Sequence, residues 1–301
     1  MICAGDLHAP EGPVVLPDGS WLIVEGGAQR GCVTWLSADG SSRSIIKKTG
    51  RPNGLAIDHK GNIWVAESKV PSLLRLTMTG ECEVVSIGCN NEPFLFPNDL
   101  CFGPDGALYL TDSGVSIEDF APNNRVRDNY MDVKYDGRLY RIDPQTGSVT
   151  KLDHGLKFTN GIAFGKDGML YINETLTGDV SRYAWRDGVA MGSRERFGNV
   201  IREDAPSGWK GPDGMAFDEN GLLLVAVFGQ GDVTVLGSNG EVVSRVATRG
   251  ILPTNVAFAL PGMHRIHVTE YEHGCIETFG VNVDGLPLWD GRTAQERSAI
   301  A

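Results

Sequence analysis

The chain has 301 residues, 41% of them hydrophobic, and its 38 acidic against 27 basic side chains leave a formal net charge of -11. Nucleic acid and anionic membrane surfaces would repel that charge, so neither is expected as a partner. No basic start with an apolar run follows Met1, and no segment nears the roughly 20 apolar residues that a bilayer span requires, so a cytoplasmic location is expected. The six cysteines, Cys3, Cys32, Cys82, Cys89, Cys101 and Cys275, form no CxxC pair. They are read as reduced, buried side chains and not as disulfides or zinc ligands.

A polar residue followed by a short apolar segment recurs six times along the chain: Glu11 (EGPVVLPDG), Asn53 (NGLAIDHKG), Asn98 (NDLCFGPDG), Asn160 (NGIAFGKDG), Asp213 (DGMAFDENG) and Asn255 (NVAFALPG). In the first five the polar residue is followed eight positions later by glycine, and the sixth is one residue shorter. Units spaced 42, 45, 62, 53 and 42 residues apart are too small to bury an apolar face alone, so they must stack. Each reads as a strand, a tight turn such as Asp105-Gly106 or Asp167-Gly168, and a second strand. A second turn series follows at Asp39-Gly40, Thr79-Gly80, Thr146-Gly147, Asp187-Gly188, Asn239-Gly240 and Asp284-Gly285. Two hairpins per unit make four strands. The pattern predicts an all-β fold, a six-bladed β-propeller with four antiparallel strands per blade, as a single domain over 1–301.

The third unit is longest. Its extra length falls at Val115 to Asp136, which mixes charges with Phe120, Tyr130, Met131 and Tyr135. Such an insertion serves either as a lid or as an excursion that packs its aromatics on a neighbouring blade. The tail at about 293–301 has no strand pattern and is expected to be mobile.

If the six polar residues share one end of the channel, they form a ring of two carboxylates and four amides. Taken singly, each Asn or Asp is also readable as a turn residue. Glu11 is not, because glutamate is a poor turn former. Oxygen donors without Cys or His suit one hard divalent cation, Ca²⁺ first, then Mg²⁺ or Mn²⁺. None of the six histidines stands at a ring position, and His264 and His267 are read as flanking a strand. Gly229-Gln230-Gly231 opens no helix and is a turn, not a nucleotide-binding fingerprint.

The ordered set EGPVVLPDG, PNGLAID, FPNDLCFGPDGALYLTD, TNGIAFGKDG and GPDGMAFDENG resembles the SMP-30/gluconolactonase/luciferin-regenerating-enzyme family of six-bladed propellers, over about Pro10 to Tyr271. The resemblance implies a metal-dependent lactone hydrolase. The family's metal-binding Glu, Asn and Asp fall on Glu11, Asn160 and Asp213, and an Asn that contacts metal or substrate falls on Asn98. Sugar-lactone members carry an arginine two residues before that Asn, where this chain has Phe96. With Trp209 and Phe228 near the same mouth, a less polar lactone stands beside an aldonolactone as the expected small-molecule substrate.

Asn98, Phe96, Asn53 and Trp209 are the substrate-binding candidates, and the metal identity among Ca²⁺, Mg²⁺, Mn²⁺ and Zn²⁺ stays open. A cation would polarise the lactone carbonyl, with Asp213 as general base and Asp99 as the fallback, Asp99 being equally readable as a brace for its loop. The alternatives are phosphotriester hydrolysis on the same metal and a non-catalytic binding module, since fold does not fix function. Nothing in the pattern sets an oligomeric state.

Overall fold

The computed structural model describes residues 2–122, 125–186, 189–190 and 193–299. The Asp187-Gly188 turn, Asn123 and Asn124 of the insertion, and residues 300–301 of the tail lie outside the described residues. Six four-stranded antiparallel sheets stand around an axis. Their first strands, Pro10–Val15, Pro52–Ile57, Pro97–Phe102, Thr159–Phe164, Gly211–Phe217 and Pro253–Phe258, pack on one another in ring order and line the channel. Four of the six begin on proline, a residue with no N–H to give and therefore tolerated at the first position of a strand. The glycine that closes each repeat (Gly19, Gly61, Gly106, Gly168, Gly221, Gly262) has a positive φ, which is why the hairpin turn uses glycine there.

Burial falls from the second strand to the fourth in each blade. Second strands such as Trp21–Glu25 and Ile63–Glu67 are buried throughout, as their unbroken apolar runs require. Fourth strands such as Arg43–Lys48 and Cys82–Ser86 are largely exposed, and their charges keep the free sheet edge from recruiting another strand.

The sixth blade departs from the expected two hairpins. Its fourth strand is not local: Ile2–Ala4 pairs with Cys275–Gly280, Ile2 opposite Glu277 and Ala4 opposite Ile276, and so closes the ring. The Asp284-Gly285 turn therefore joins no third and fourth strands. It begins a strap across the channel end at which the innermost strands finish. Leu286 N–H donates to Phe217 O at 2.9 Å, His59 N–H to Asp290 O at 2.8 Å and Ala294 N–H to Pro104 O at 2.8 Å. Trp289 packs against the cores on both sides of blade 3.

Residues 294–298, within the stretch expected to be a mobile tail, form a short helix with a Thr293/Glu296 capping box. The Arg297 guanidinium lies 4.9 Å from the Trp289 ring centre. All six cysteines are free. The expected burial holds for Cys32, Cys89 and Cys275, whereas Cys82 is exposed because it sits on an outer strand. No helix among the described residues is long and apolar enough to cross a membrane.

A carboxylate ends the second strand in five blades: Glu25, Glu67, Asp112, Glu174 and Glu270. Each accepts a backbone N–H from the loop that leads into its own innermost strand: His8 at 2.9 Å, Arg51 at 2.7 Å, Leu95 at 2.7 Å, Lys157 at 2.7 Å and Leu252 at 3.1 Å. Those N–H groups belong to residues two or three positions before the polar residue of the repeat. In blade 5 the second strand ends at Phe228, and Gln230 takes over, accepting from Arg202 N–H at 2.8 Å.

Glu270 also accepts from Glu272 and His273 N–H. Glu270→Ala therefore leaves three backbone donors without their acceptor and is expected to lower stability by about 2 to 3 kcal/mol in urea unfolding. Glu83→Ala, on an exposed outer strand beside Arg75, should change it by less than about 0.5 kcal/mol.

Candidate active site

Every innermost strand carries one extra residue at the polar position. Glu11 pairs with Val24 but Val14 with Leu22; Pro97 pairs with Asp112 but Leu100 with Leu110; Pro212 pairs with Val227 but Met215 with Val225. The same slip occurs beside Asn53, Asn160 and Asn255. A bulge bends the strand and re-aims its side chain, and six of them turn the six polar residues toward the axis at one end of the channel.

The residue after the polar one stands where neighbouring blades approach most closely. A Cβ at Gly54 would lie 2.7 Å from the Asp99 Cα, and one at Gly161 would lie 2.3 Å from the Asp213 carbonyl oxygen, so these sites demand glycine. Blade 3 has Asp99 there, which adds a carboxylate where blades 1, 2, 4 and 5 have glycine, and blade 6 lacks the glycine as well.

The amide nitrogens of the ring point to protein partners. Asn53 Nδ2 donates to Asn98 Oδ1 at 2.9 Å, Asn98 Nδ2 to Ser113 Oγ at 2.9 Å, and Asn160 Nδ2 to Thr175 Oγ1 at 3.2 Å. The Asn160 side chain also donates to Asp213. Asn255 Nδ2 donates to Glu11 Oε2 at 3.0 Å, and Gly12 N–H reaches the same oxygen.

Glu11, Asp99 and Asp213 are close enough to perturb one another. Burial, followed by repulsion from Asp213 and Asp99, pushes the Glu11 carboxyl well above the ordinary range. Burial and Asp99 do the same to Asp213, and burial pushes Asp99 up to about 7. Glu11 is 8% exposed and Asp99 9%, whereas Asp213 is only half-buried. The Asp99 backbone is braced by Thr111, whose hydroxyl also donates to the Asn160 carbonyl at 2.6 Å. Among the described residues no three His, Cys, Asp or Glu side chains converge as a metal cage by themselves, so amide oxygens would have to complete one.

Phe228 packs against Tyr271, and the other aromatic candidates form one cluster. Phe96, Phe120, Tyr135 and Phe158 are buried together with Val115 and Ala121, and Trp209 packs against them half-exposed. The Trp209 ring centre is 4.7 Å from Phe120, 4.9 Å from Phe158 and 5.3 Å from Tyr130. The insertion thus packs its aromatics on the segments that lead into the rings of blades 3 and 4, while its Met131 remains exposed. Phe96 is not an open wall of the channel: it is 4% exposed, with Arg51 over one face. His267 lies within the strand Arg265–Glu270, not beside it, and is buried 4.2 Å from the Trp21 ring, its pKa depressed to about 4 by burial.

Sequence reasoning does not single out the strand-end carboxylates, Ser113 or Thr175. The first group had a signal, since WLIVE, IWVAE, LYLTD, LYINE and IHVTE all end in an acid.

Residues 9–272 match the model of the SMP-30/Gluconolactonase/LRE-like region. The chain is 26% identical to a gluconolactonase of Zymomonas mobilis over 258 residues, covering 80% of this chain and 70% of that protein. It is also 26% identical to the diisopropyl-fluorophosphatase of Loligo vulgaris over 292 residues, 91% and 89% of the two chains. Among solved structures, a calcium-binding protein, regucalcin, from Agrobacterium tumefaciens superposes with a TM-score of 0.77 at 22% identity, over 95% of this chain and 94% of that one, a likeness that bears on the fold. A polar ring built on six bulged strands and a family match that spans all six blades lead to one assignment: the chain belongs to the SMP-30/Gluconolactonase/LRE-like family.

Proposed function

We propose that this hydrolase opens the ring of a lactone at the Glu11–Asp213 end of the channel with the help of one divalent cation. The observation that carries the reading is that Glu11, Asp99 and Asp213 lie within electrostatic reach at one end of the channel, where burial opposes the ionisation of all three and neighbouring acids add to it for Glu11 and Asp213. Such a cluster calls for a cation. Glu11, Asn98, Asn160 and Asp213 would hold it, since the amide nitrogens of Asn98 and Asn160 are taken up by Ser113 and Thr175. Oxygen donors without sulfur or imidazole favour Ca²⁺, then Mg²⁺ or Mn²⁺, over Zn²⁺. When bound, the ion supplies Lewis acidity toward a carbonyl oxygen and offsets the carboxylate charge.

The chain's own residues do the rest. Asp213 is more accessible than Glu11 and Asp99, so it is the carboxylate we assign to reach a water molecule and take its proton. Asp99, fixed by the N–H of Leu100, maintains the negative field that raises the proton affinity of Asp213. Asn53 and Asn98 orient the lactone, and Trp209 with its aromatic neighbours shields one side of the mouth from water. The likeness to the Loligo fluorophosphatase keeps phosphoester hydrolysis at the same site as a second reading. An EDTA-controlled assay of lactone and phosphotriester substrates side by side decides between them.

Because the trio has raised proton affinities in the folded state, stability without cation is greatest where these groups are protonated. It falls as pH rises from the ordinary carboxylate range through about 7. Cation-stripped protein should therefore melt higher near pH 5 than near pH 8, and saturating Ca²⁺ should remove most of the difference. Glu11→Gln should flatten the dependence and abolish the Ca²⁺ effect, as read by differential scanning fluorimetry. A cation-free protein that is more stable near pH 8 refutes the trio.

Asp213→Asn keeps an oxygen donor but removes the proton acceptor, so kcat should fall by roughly two to four orders of magnitude while some metal binding remains. Asp99→Asn should be milder. Loss of turnover in Asp99→Asn with metal intact, and loss in Asp213→Asn only in step with lost metal, would reverse the two roles.

A further inference from the structure

The four ring members assigned to the cation, Glu11, Asn98, Asn160 and Asp213, differ from the other two in how they are held. In each, the backbone of the ring residue or of the one before it accepts a hydrogen bond from a side chain of the preceding blade. Thr254 Oγ1 donates to the Pro10 carbonyl at 2.7 Å, and Asn53 Nδ2 to the Asn98 carbonyl at 3.2 Å. Thr111 Oγ1 donates to the Asn160 carbonyl at 2.6 Å, and Asn173 Nδ2 to the Asp213 carbonyl at 2.6 Å. Thr111 and Asn173 share one register position, the second-strand residue just before the one that faces the start of the innermost strand. In blades 1 and 5, which precede Asn53 and Asn255, that position holds Val24 and Ala226, and neither side chain has a donor. Blade 2 has Ala66 there, and Asn53 supplies the donor instead.

Asn173 is the costly member of this set. It is fully buried, and while its Nδ2 reaches the Asp213 carbonyl, its Oδ1 has no hydrogen-bond partner among the described residues. A buried acceptor left unpaired destabilises a fold, and the threonine of blade 3 or the valine of blade 1 avoids that cost at the same position. The neighbours make room for the amide: a Cβ at Gly161 would lie 2.8 Å from Asn173 Nδ2. Asp213 has no opposite residue in its own blade, because the bulge sets Pro212 against Val227 and Met215 against Val225 and skips it. Its carbonyl is therefore held from blade 4.

We propose that Asn173 is a positioning residue: its amide N–H fixes the Asp213 backbone so that the carboxylate stands where it serves both the cation and the attacking water. The proposal rests on the lactonase reading above. A bulged residue without an opposite partner can turn its peptide plane, and the side chain turns with it. A displacement of about 1 Å in a group that must meet a reacting atom can cost about 100-fold in rate. The hydrogen bond from Asn173 removes that freedom, and the unpaired oxygen on the same amide is what the fold gives up for it.

The test compares the parent with Asn173→Val, which removes the donor, and Asn173→Thr, which restores one in the manner of blade 3. Calorimetric titration of the cation-free proteins with Ca²⁺ should show an affinity about 10-fold weaker in Asn173→Val and within about threefold of the parent in Asn173→Thr. With saturating Ca²⁺, kcat on gluconolactone or γ-butyrolactone should fall about 10- to 100-fold in the valine variant and stay within about threefold in the threonine variant. Asn173→Ala carries the test if the valine variant does not fold, since blades 2 and 5 have alanine there. A valine variant that loses urea stability but keeps Ca²⁺ affinity and kcat within about twofold of the parent makes the bond merely structural and overturns the proposal. A threonine variant as impaired as the valine one overturns it too. If Asn173→Val loses Ca²⁺ affinity but the parent opens neither lactone, the lactonase reading falls and the hold on Asp213 stands. If the parent opens a lactone and the valine variant matches it in rate and Ca²⁺ affinity, the positioning role falls and the lactonase reading stands.

Discussion

One surplus residue in each innermost strand governs the geometry of this protein. Side chains in a strand alternate between its faces, and without the slip the polar residue would follow the pleat into the apolar layer between blades. The bulge turns it toward the axis and returns the following residues to register, so Leu55, Leu100, Ile162 and Met215 remain core while their polar neighbours face the channel. Six repetitions place six such side chains at one level. Shared geometry then lets single residue changes carry the chemistry: glutamate for asparagine at position 11, and aspartate for glycine at position 99.

The ring would be loose if the segments leading into it were free. The carboxylate at the end of each second strand ties the approaching loop down two or three residues before the bulge, through backbone donors whose supply does not depend on loop sequence. That independence lets the side chains of the approach differ from blade to blade, as Phe96 and Phe158 do by joining the aromatic cluster. Blade 5 lacks the acid. There Gln230 holds the loop near its start, and Trp209 near its end is held by the aromatics of the insertion and of blade 4. The two long loops on this face are thus each other's support.

Much of this was legible in the sequence, for identifiable reasons. The repeat announced itself because each innermost strand needs the same polar, apolar and glycine positions to pack at the axis. Glu11 stands out because no turn explains it, whereas Asp99 reads from sequence equally as a base and as a brace for its loop. Less legible were features that depend on pairing distant parts of the chain. No local pattern says that residues 2–4 complete the sixth blade, or that the last segment crosses the far end of the channel, since neither has a period of its own. Phe96 could be noticed but not placed: its burial depends on Phe120 from the insertion and Phe158 from the next blade. His267 was misplaced because one polar residue in an otherwise apolar strand reads as its end, whereas the Trp21 face accepts a neutral imidazole.

The pairing of Ile2–Ala4 with Cys275–Gly280 sets an order of events for chain synthesis. The strand Ile2–Ala4 has no partner until the sixth blade has been made, so the ring cannot close while the ribosome still holds that unit. Until then the third strand of that blade and the N-terminal segment are both unsatisfied edges, able to pair with other chains. Blades 1 to 5 have all their strands in one stretch of chain and can form as they emerge. Completion of the site then waits on closure, because Glu11 on the first blade meets its partner Asn255 on the sixth only across that seam.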